Sequence, residues 1–368
     1  MRVVIAPDSF KGSITATAAA AALAAGWRDA RPADVVTTLP LADGGEGTLE
    51  VLAAGVAGAR WRDARVTGPG GAPVACQWLQ LPGGAAAVEL ARASGLPLLA
   101  RPDPMRAQTT GLGELIGITL DEGAGRLLIG LGGSAATDGG TGALAALGAR
   151  FLDAAGHPLP PGGGALARLA MIDTSGLRPP PASVICLTDV TAPLLGPAGA
   201  AAVFGPQKGA TPGQVARLEA GLTRLAGLLG GDPGAPGAGA AGGTGYGLAA
   251  GWRAVITPGG PELARLAGLG QAIAAADLVI TGEGRFDPTS LAGKTAGLVL
   301  AAAADARVPA AIVAGQLGCA PPAGVAVLTL AALAGGTRPA LADPARWLRA
   351  AGQQLARRRA GEWPGRAE

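Results

Sequence analysis

Short apolar segments that end in Gly or Asp alternate with helical stretches along this chain. This alternation is typical of βα units, which build a mostly parallel sheet with helices on its faces. The sequence therefore predicts an α/β fold. Its predicted parallel strands are residues 3–6, 35–39, 126–131, 184–187, 278–281, 310–314 and 325–330. Its predicted helices are residues 15–26, with a cap at Ser13, and residues 111–122, 211–229 and 261–275.

A second pattern lies between residues 63 and 90. Segments 64–67, 73–79 and 86–89 surround Gly- and Pro-rich turns, and we predict that they form antiparallel strands. The change predicts a domain boundary near Asp63. A chain of 368 residues is also longer than one typical domain, which favours two α/β domains. Residues 230–243 are rich in Gly, Pro and Ala, and are predicted to form a flexible surface loop.

Composition argues against several classes of protein. The net charge is +3, but the basic residues are scattered and only 3% of residues are aromatic, so no nucleic-acid partner is expected. Cys76, Cys186 and Cys319 lie far apart without a CxxC motif, which predicts neither a disulfide framework nor a zinc cluster. A reducing cytoplasm is the expected location. No apolar run is long enough to span a bilayer, so no membrane partner is expected.

The chain has only three lysines, Lys11, Lys208 and Lys294, beside 26 arginines. Each lysine adjoins a glycine in a Gly-rich turn. A compact ammonium group on a flexible stem suits a mobile phosphate, whereas a guanidinium group is a planar fork. The presence of lysine at these turns therefore indicates phosphate chemistry.

Acidic residues follow several predicted strands, at the edge where open α/β sheets bind ligands. Asp8 and Lys11 follow the first strand and precede a helix start, where backbone N–H groups suit an anion. Asp43 and Glu46 are separated by Gly-Gly and can face one cation or one hydroxyl group, although Glu46 could simply favour the positive end of a helix dipole. Asp189 follows another strand, where a turn cap is the ordinary alternative.

A Gly-rich segment at residues 129–140 also joins a predicted strand to a helix. Gly130, Gly132 and Ala135 match the loose dinucleotide-binding pattern. This match makes an NAD-dependent dehydrogenase the alternative function for the chain.

The same segment contains Ser134, Thr137 and Asp138, which a dehydrogenase turn does not need. Hydroxyl groups and a carboxylate among exposed N–H groups suit phosphate and Mg²⁺ better than a nicotinamide cofactor. The segment therefore favours nucleotide phosphates over NAD.

The last apolar strand of this kind leads to Glu283, Arg285 and Asp287 and ends near Lys294. Its Gly-Lys-Thr ending is similar to a Walker A loop, but Pro288 stands where that loop requires Gly. The chain is therefore not predicted to be a P-loop NTPase. The connection still supplies two carboxylates, one Arg and one Lys.

The whole set of motifs favours phosphoryl transfer, which needs positioned charge and Mg²⁺ more than a reactive nucleophile. The only histidine, His157, lies in a turn away from every motif, which argues against a histidine base. A non-enzymatic anion-binding regulator would explain the lysines but not the paired acids.

In order and spacing, these motifs resemble the bacterial glycerate kinase family of the glyoxylate and glucarate pathways. Two departures are Ala192, where the family has Asn after the acid Asp189, and Ala136, where Thr is common. If the amide side chain that is missing at Ala192 contacts substrate in the family, selectivity for the acceptor is the property that would differ here. The resemblance rests on residues 6–13, 42–48, 93–96, 109–116, 132–140, 203–210, 240–245 and 277–285.

The resemblance implies ATP-dependent phosphorylation of D-glycerate with Mg²⁺, and 2-phosphoglycerate as the expected product. It implies two α/β domains with mostly parallel sheets and an active site in the interdomain cleft. The discontinuous domain would comprise residues 1–66 and 277–368, and the inserted domain residues 67–276. The expected partners are D-glycerate and ATP, and a homodimer is the assembly considered.

Motifs and resemblance together give the expected site residues. Asp189 or Asp287 is expected to be the base, and Arg285 or Ser94 to bind the glycerate carboxylate, with Lys11 also acting in catalysis. The expected ATP-binding residues are Lys11, Ser13, Gly132, Gly133, Ser134, Thr137, Lys208, Glu283 and Lys294, and the expected Mg²⁺ ligands are Asp43, Glu46 and Asp138.

Overall fold

A computed structural model describes residues 1–291 and 293–358. The chain divides into two compact units. Unit 1 contains Met1–Asp43, Glu50–Ala57 and the described residues from Gly260 onward, and unit 2 contains Gly44–Leu49 and Gly58–Gly259. The predicted domain boundaries at residues 66/67 and 276/277, and the site expected in an interdomain cleft, stay predictions.

Thirteen strands are present in the described residues. They are β1 (Arg2–Ile5), β2 (Val35–Thr38), β3 (Arg60–Thr67), β4 (Pro73–Leu81), β5 (Ala85–Glu89), β6 (Arg126–Gly130), β7 (Arg150–Leu152), β8 (Met171–Asp173), β9 (Ser183–Thr188), β10 (Val255–Pro258), β11 (Leu278–Phe286), β12 (Ala310–Leu317) and β13 (Ala326–Thr329).

Helices connect most of the strands. They are α1 (Ala16–Ala30), α2 (Thr48–Gly55), α3 (Leu90–Ser94), α4 (Thr110–Asp121), α5 (Thr141–Ala146), α6 (Ala200–Phe204), α7 (Pro212–Leu229), α8 (Ala240–Trp252), α9 (Gly259–Leu266), α10 (Leu269–Ala274), α11 (Pro288–Leu291), α12 (Thr295–Asp305), α13 (Leu330–Ala334), α14 (Thr337–Ala342) and α15 (Pro344–Ala356). None of those in the described ranges is long and apolar enough to cross a lipid bilayer.

Unit 1 is built on a five-stranded parallel sheet with the order β13-β12-β11-β1-β2. Apolar residues on both faces of the central strands are buried, because helices cover both sides of a parallel sheet. Val3 and Ile5 face one core, and Val4 faces the other. The five strands predicted here are confirmed.

Unit 2 is built on a six-stranded mixed sheet with the order β10-β9-β6-β5-β4-β3. Strands β10, β9, β6 and β5 run parallel, whereas β4 and β3 add two antiparallel pairs. Strands β7 and β8 form a separate antiparallel pair. The predicted antiparallel segments between residues 63 and 90 are confirmed, as is the α/β fold class with mostly parallel sheets.

Three local predictions are wrong. Helix α1 is capped by Thr15, whose Oγ1 accepts a bond from the Ala18 N–H, whereas Ser13 Oγ donates to the Phe10 carbonyl. The helix predicted at 261–275 is two helices, α9 and α10, because Gly268 between them adopts a left-handed conformation. The loop predicted at 230–243 is not wholly on the surface, since helix α8 begins inside it.

The second half of that loop packs closely against the Gly-rich segment of unit 2. Gly242 and Gly243 are buried and have positive φ angles, which favour glycine. A Cβ atom at Gly242 would collide with the Ala136 carbonyl oxygen. Composition alone therefore misread close backbone packing as flexibility.

Helices α1 and α15 pack closely in unit 1 through glycines. A Cβ atom at Gly352 would collide with the Leu23 carbonyl oxygen, and one at Gly26 would collide with the Arg349 carbonyl oxygen. Backbone atoms cannot move aside as a flexible side chain can. The contact therefore requires glycine at both positions.

The substitution Gly352→Ala should lower the free energy of unfolding by about 1–3 kcal/mol, because the added methyl group overpacks this contact. The measurement is urea unfolding followed by tryptophan fluorescence, to which Trp27, buried in α1, contributes. Gly270→Ala is the control, since a Cβ atom at Gly270 meets nothing within 4 Å. A Gly352→Ala protein as stable as the parent would contradict the packing account.

Candidate active site

One edge of the unit 1 sheet gathers charged residues around a cavity of about 370 Å³. Parallel strands β1, β11 and β12 direct their carboxyl ends to this edge, and the following turns supply the polar side chains. The sequence-predicted residues that line this unit 1 cavity are Lys11, Ser13, Asp43, Glu283, Arg285, Asp287 and Lys294.

Asp8 also lines the unit 1 cavity, directly after β1. Its backbone N–H donates to the Gly282 carbonyl at 2.8 Å, which fixes the turn against β11. Burial, with a further contribution from the negative charge of Asp43, raises the pKa of the Asp8 carboxyl. Thr295 and Lys11 act in the opposite direction. Asp8 is therefore a carboxylate under electrostatic strain beside the cavity.

Glu283 is a second strained carboxylate, carried by β11. Burial is the main reason that its pKa is raised, and the charge of Asp8 contributes. Ser290 and Lys294 lower the pKa in part. Among the described residues, its buried Oε1 has no hydrogen-bond partner. A buried carboxylate oxygen without a donor suits a cation or a donor group of a ligand.

Lys11 and Asp43 form an ion pair, with Nζ and Oδ2 separated by 3.1 Å. The Lys11 side chain is 73% exposed, whereas that of Asp43 is 11% exposed. The buried acid thus holds an ammonium group that can turn toward a ligand in the cavity.

Asp287 differs from the strained acids. Thr289 donates to its Oδ1 from both the hydroxyl group and the backbone N–H, at 2.6 and 2.9 Å. The hydroxyl bond is the main cause of its lowered pKa, so its ionised form is stabilised. Arg285 lies 3.7 Å from Asp287 Oδ2, with 65% of its side chain exposed. Asp287 is therefore a weaker candidate for a base.

The carboxylate oxygens that line the unit 1 cavity are hard ligands, which Mg²⁺ prefers. Among residues 1–291 and 293–358, no group of three or more His, Cys, Asp or Glu side chains is placed to hold a metal ion. Mg²⁺ commonly takes one or two carboxylates and completes its shell with phosphate oxygens and water. The acids here fit that mode.

Unit 2 contains the Gly-rich segment between β6 and α5, and Asp138 lies at its centre with no exposed surface. Asp138 Oδ2 accepts bonds from the Thr109 N–H and hydroxyl group, at 2.9 and 2.8 Å. Its carboxylate also accepts the N–H groups of Gly140 and Gly142, at 3.1 and 3.3 Å. Burial raises the pKa of Asp138, against these four bonds. The carboxylate ties the start of α4 to the start of α5.

Lys208 is also buried in unit 2, with 2% of its surface exposed. Its Nζ donates to the Ala136 carbonyl and lies 3.5 Å from Thr137 Oγ1. Burial lowers its pKa to about 8, although the charge of Asp138 opposes this shift. Lys208 thus supports the Gly-rich segment from within the protein and does not present its ammonium group to solvent.

The remaining predicted residues of unit 2 lie along the same segment or at the ends of neighbouring strands. Ala135 N–H donates to the Ser94 carbonyl, and Ser94 Oγ is buried with no hydrogen-bond partner among the described residues. Glu46 is exposed, and its carboxylate packs against Gly133. Gly132 is partly exposed, whereas Ser134 and Thr137 are buried.

Asp189 lies directly after β9 and is exposed. His157 is exposed in a turn, as expected from its surroundings in sequence. Thr188, the last residue of β9, uses its hydroxyl group to accept the Val190 N–H at 3.1 Å. The turn that carries Asp189 is therefore held by its own threonine.

Two residues that the structure makes prominent were not among the site residues expected from the sequence, although Asp8 was noted at the ligand-binding edge. Asp8 is the strained acid at the end of β1, and its signal was its place directly after an apolar strand. Thr109 donates two hydrogen bonds to Asp138, and no local sequence pattern predicts these long-range bonds.

Sequence comparisons with known proteins point to one family. Residues 3–360 match the sequence model of the glycerate kinase family. The chain is 44% identical over 329 residues to the glycerate kinase of Bacillus subtilis strain 168, covering 86% of this chain and 85% of that protein. It is 41% identical over 304 residues to the glycerate 2-kinase of Escherichia coli K12, covering 80% of each.

The fold also matches a crystal structure of a protein assigned as glycerate kinase 2 from Salmonella typhimurium LT2. The TM-score is 0.81 at 39% identity, and the match covers 97% of each chain. These matches give no support to the dehydrogenase alternative. The predicted family is confirmed: the chain is an enzyme of the glycerate kinase family.

Proposed function

We propose that the protein transfers the γ-phosphoryl group of ATP to D-glycerate with Mg²⁺, and that the product is 2-phosphoglycerate. The observation that carries this proposal is the unit 1 cavity, which combines four acids with three basic residues at one sheet edge. Phosphoryl transfer depends on such positioned charge. The name of the E. coli relative, a glycerate 2-kinase, supports the choice of the 2-hydroxyl group.

The phosphates of ATP would contact Lys11 and Lys294 in the unit 1 cavity. Lys11 is exposed there, and Lys294 precedes the first turn of α12, whose N-terminal N–H groups favour anions. Asp43 and Glu283 would hold Mg²⁺ together with phosphate oxygens, since Glu283 Oε1 has no hydrogen-bond donor among the described residues. Bound Mg²⁺ would neutralise charge that develops on the phosphates during transfer.

The other predicted metal ligands and the carboxylate-binding residues stay hypotheses. Glu46 has an exposed carboxylate that could take part in metal binding. Asp138 is better explained as a positioning residue, because its carboxylate already accepts four hydrogen bonds. Arg285 is proposed over Ser94 for the glycerate carboxylate, because guanidinium binds carboxylate bidentately and Arg285 is exposed at the cavity.

The direct test is ADP release from ATP in the presence of D-glycerate and Mg²⁺. The phosphorylated carbon is assigned by phosphorus–proton NMR coupling. We expect ADP to form only when all three components are present, and the phosphate to be on carbon 2. Phosphate on carbon 3 would contradict the regiochemistry alone. Reduction of NAD by glycerate without ATP would instead favour the dehydrogenase.

We propose Asp8 as the acceptor of the hydroxyl proton, because it lines the unit 1 cavity whereas Asp287 is held by Thr289. Asp8→Asn should lower kcat by about 100-fold or more, as expected for loss of a general base. Asp287→Asn should lose less activity. The control is Asp305→Asn, at the exposed end of α12.

Asp189 was expected from sequence for the same role, so Asp189→Asn belongs in the same kinetic series. A large loss in Asp189→Asn, with full activity in Asp8→Asn, would contradict the Asp8 assignment. Circular dichroism of each variant would separate lost chemistry from lost folding.

We also propose that Lys208 positions the Gly-rich segment and does not contact phosphate. Its pKa of about 8 in the folded protein lies below the ordinary value of 10.5. Between these values the unfolded chain binds more protons, so the contribution of Lys208 to stability rises with pH.

The test compares urea unfolding of the parent and Lys208→Met from pH 8 upward. As the pH approaches 10, the parent should gain ~1–2 kcal/mol of unfolding free energy relative to Lys208→Met. The limit for one titrating group is about 1.4 kcal/mol per pH unit. Titrating groups that do not interact with Lys208 are shared by both proteins and cancel. A constant difference would show that Lys208 does not titrate in this way.

A further inference from the structure

One wall of the unit 1 cavity is apolar, in contrast to the charged wall already described. It is formed by Leu330 of α13, Ala340 and Leu341 of α14, and Pro344 at the start of α15. Leu341 is 58% exposed, whereas Leu330 is 2% exposed and anchors the wall in the core. An exposed leucine beside buried apolar neighbours in a concave site marks a surface that a ligand can cover.

D-glycerate does not account for this wall. It has three carbons that carry a carboxylate and two hydroxyl groups, so it presents almost no apolar surface. A cavity of about 370 Å³ is also in the size range of sites for larger organic ligands. The occupant of the wall should combine a flat apolar face with a strongly charged end.

We propose that this wall is the nucleobase subsite, where the purine ring of ATP packs on Leu341 and Pro344, which the buried Leu330 and Ala340 support from the core. The proposal rests on the ATP dependence proposed above and adds the orientation of the nucleotide. The base lies at the helical wall, and the phosphates lie toward Lys11 and Lys294. A purine has two apolar faces, and its burial gains free energy in proportion to the apolar area covered.

Polar side chains at the same wall suit the edge of a purine. Gln316 and Thr337 both line the unit 1 cavity, and Gln316 Nε2 lies 2.5 Å from Thr337 Oγ1. This hydrogen bond orients the amide. An amide offers both a donor and an acceptor, which complements the paired donor and acceptor of the adenine edge.

The experiment replaces Leu341 by Asn, which removes apolar contact without adding charge that would repel phosphate. Leu228→Asn is the matched control, because Leu228 is a 44% exposed leucine on α7 of unit 2. Adenosine binding is measured through the change in tryptophan fluorescence, to which Trp347 contributes because its indole donates to the carbonyl of Pro339 in α14. Inhibition by tripolyphosphate and the KM values for ATP and D-glycerate are measured in parallel.

We expect Leu341→Asn to weaken adenosine binding and raise the KM for ATP by about 10-fold, the order expected for a lost buried leucine contact. Inhibition by tripolyphosphate and the KM for D-glycerate should stay within about 2-fold, since neither ligand has a base. Leu228→Asn should match the parent in every assay.

Two results would overturn the proposal. One is an unchanged adenosine affinity in Leu341→Asn, and the other is a rise in the KM for D-glycerate alone, which would assign the wall to the acid substrate. Failure of the proposed function is separate, because it appears as absent ADP release in the parent protein. Adenosine binding that depends on Leu341 would support the subsite even then.

Discussion

The burial of acidic groups at the unit 1 cavity, above all Asp8 and Glu283, is the constraint on which the unit 1 site depends. Burial is the main cause of the raised pKa of Asp8 and of Glu283; the charge of Asp43 adds to the shift of Asp8, and the charge of Asp8 adds to that of Glu283. Like charges held in a partly buried site cost free energy that the rest of the fold must offset. Lys11 and Lys294 offset part of this cost, and a bound cation would offset more. In the proposed function, a bound metal–nucleotide complex would relieve this cost.

In unit 2, buried polar side chains hold the Gly-rich segment in place. The glycines of this segment have no side chains that could pack and fix its conformation, so hydrogen bonds from buried polar groups fix it instead. Asp138 ties two helix starts together, and Lys208 binds the backbone of the segment. Buried charges of this kind cost desolvation, and each is compensated by hydrogen bonds. Gly133 can therefore stay exposed on a segment that is held from within the protein.

Much of the fold could be predicted from the sequence, because buried strands require a local pattern of apolar residues. The run 278–280 is apolar throughout, as strands covered on both faces require, and the segments around 63–90 change pattern where the sheet becomes antiparallel. Lys11, Asp43 and Glu283 could be grouped because parallel strands end at one edge. Burial of Lys208 and the partners of Asp138 could not be read, since both depend on residues distant in sequence. The Ser13 cap failed because two residues with capping hydroxyl groups stand near the start of α1, and only geometry selects Thr15.

The central claim is that the unit 1 cavity holds the nucleotide and its metal ion. The most direct measurement is a crystal structure of the protein with Mn²⁺ and a non-hydrolysable ATP analogue, with the metal located by anomalous scattering. The account predicts a metal peak bound to Asp43 or Glu283, and triphosphate oxygens within hydrogen-bond distance of Lys11. A triphosphate bound to the Gly-rich segment at residues 130–138, with no nucleotide in the unit 1 cavity, would contradict it.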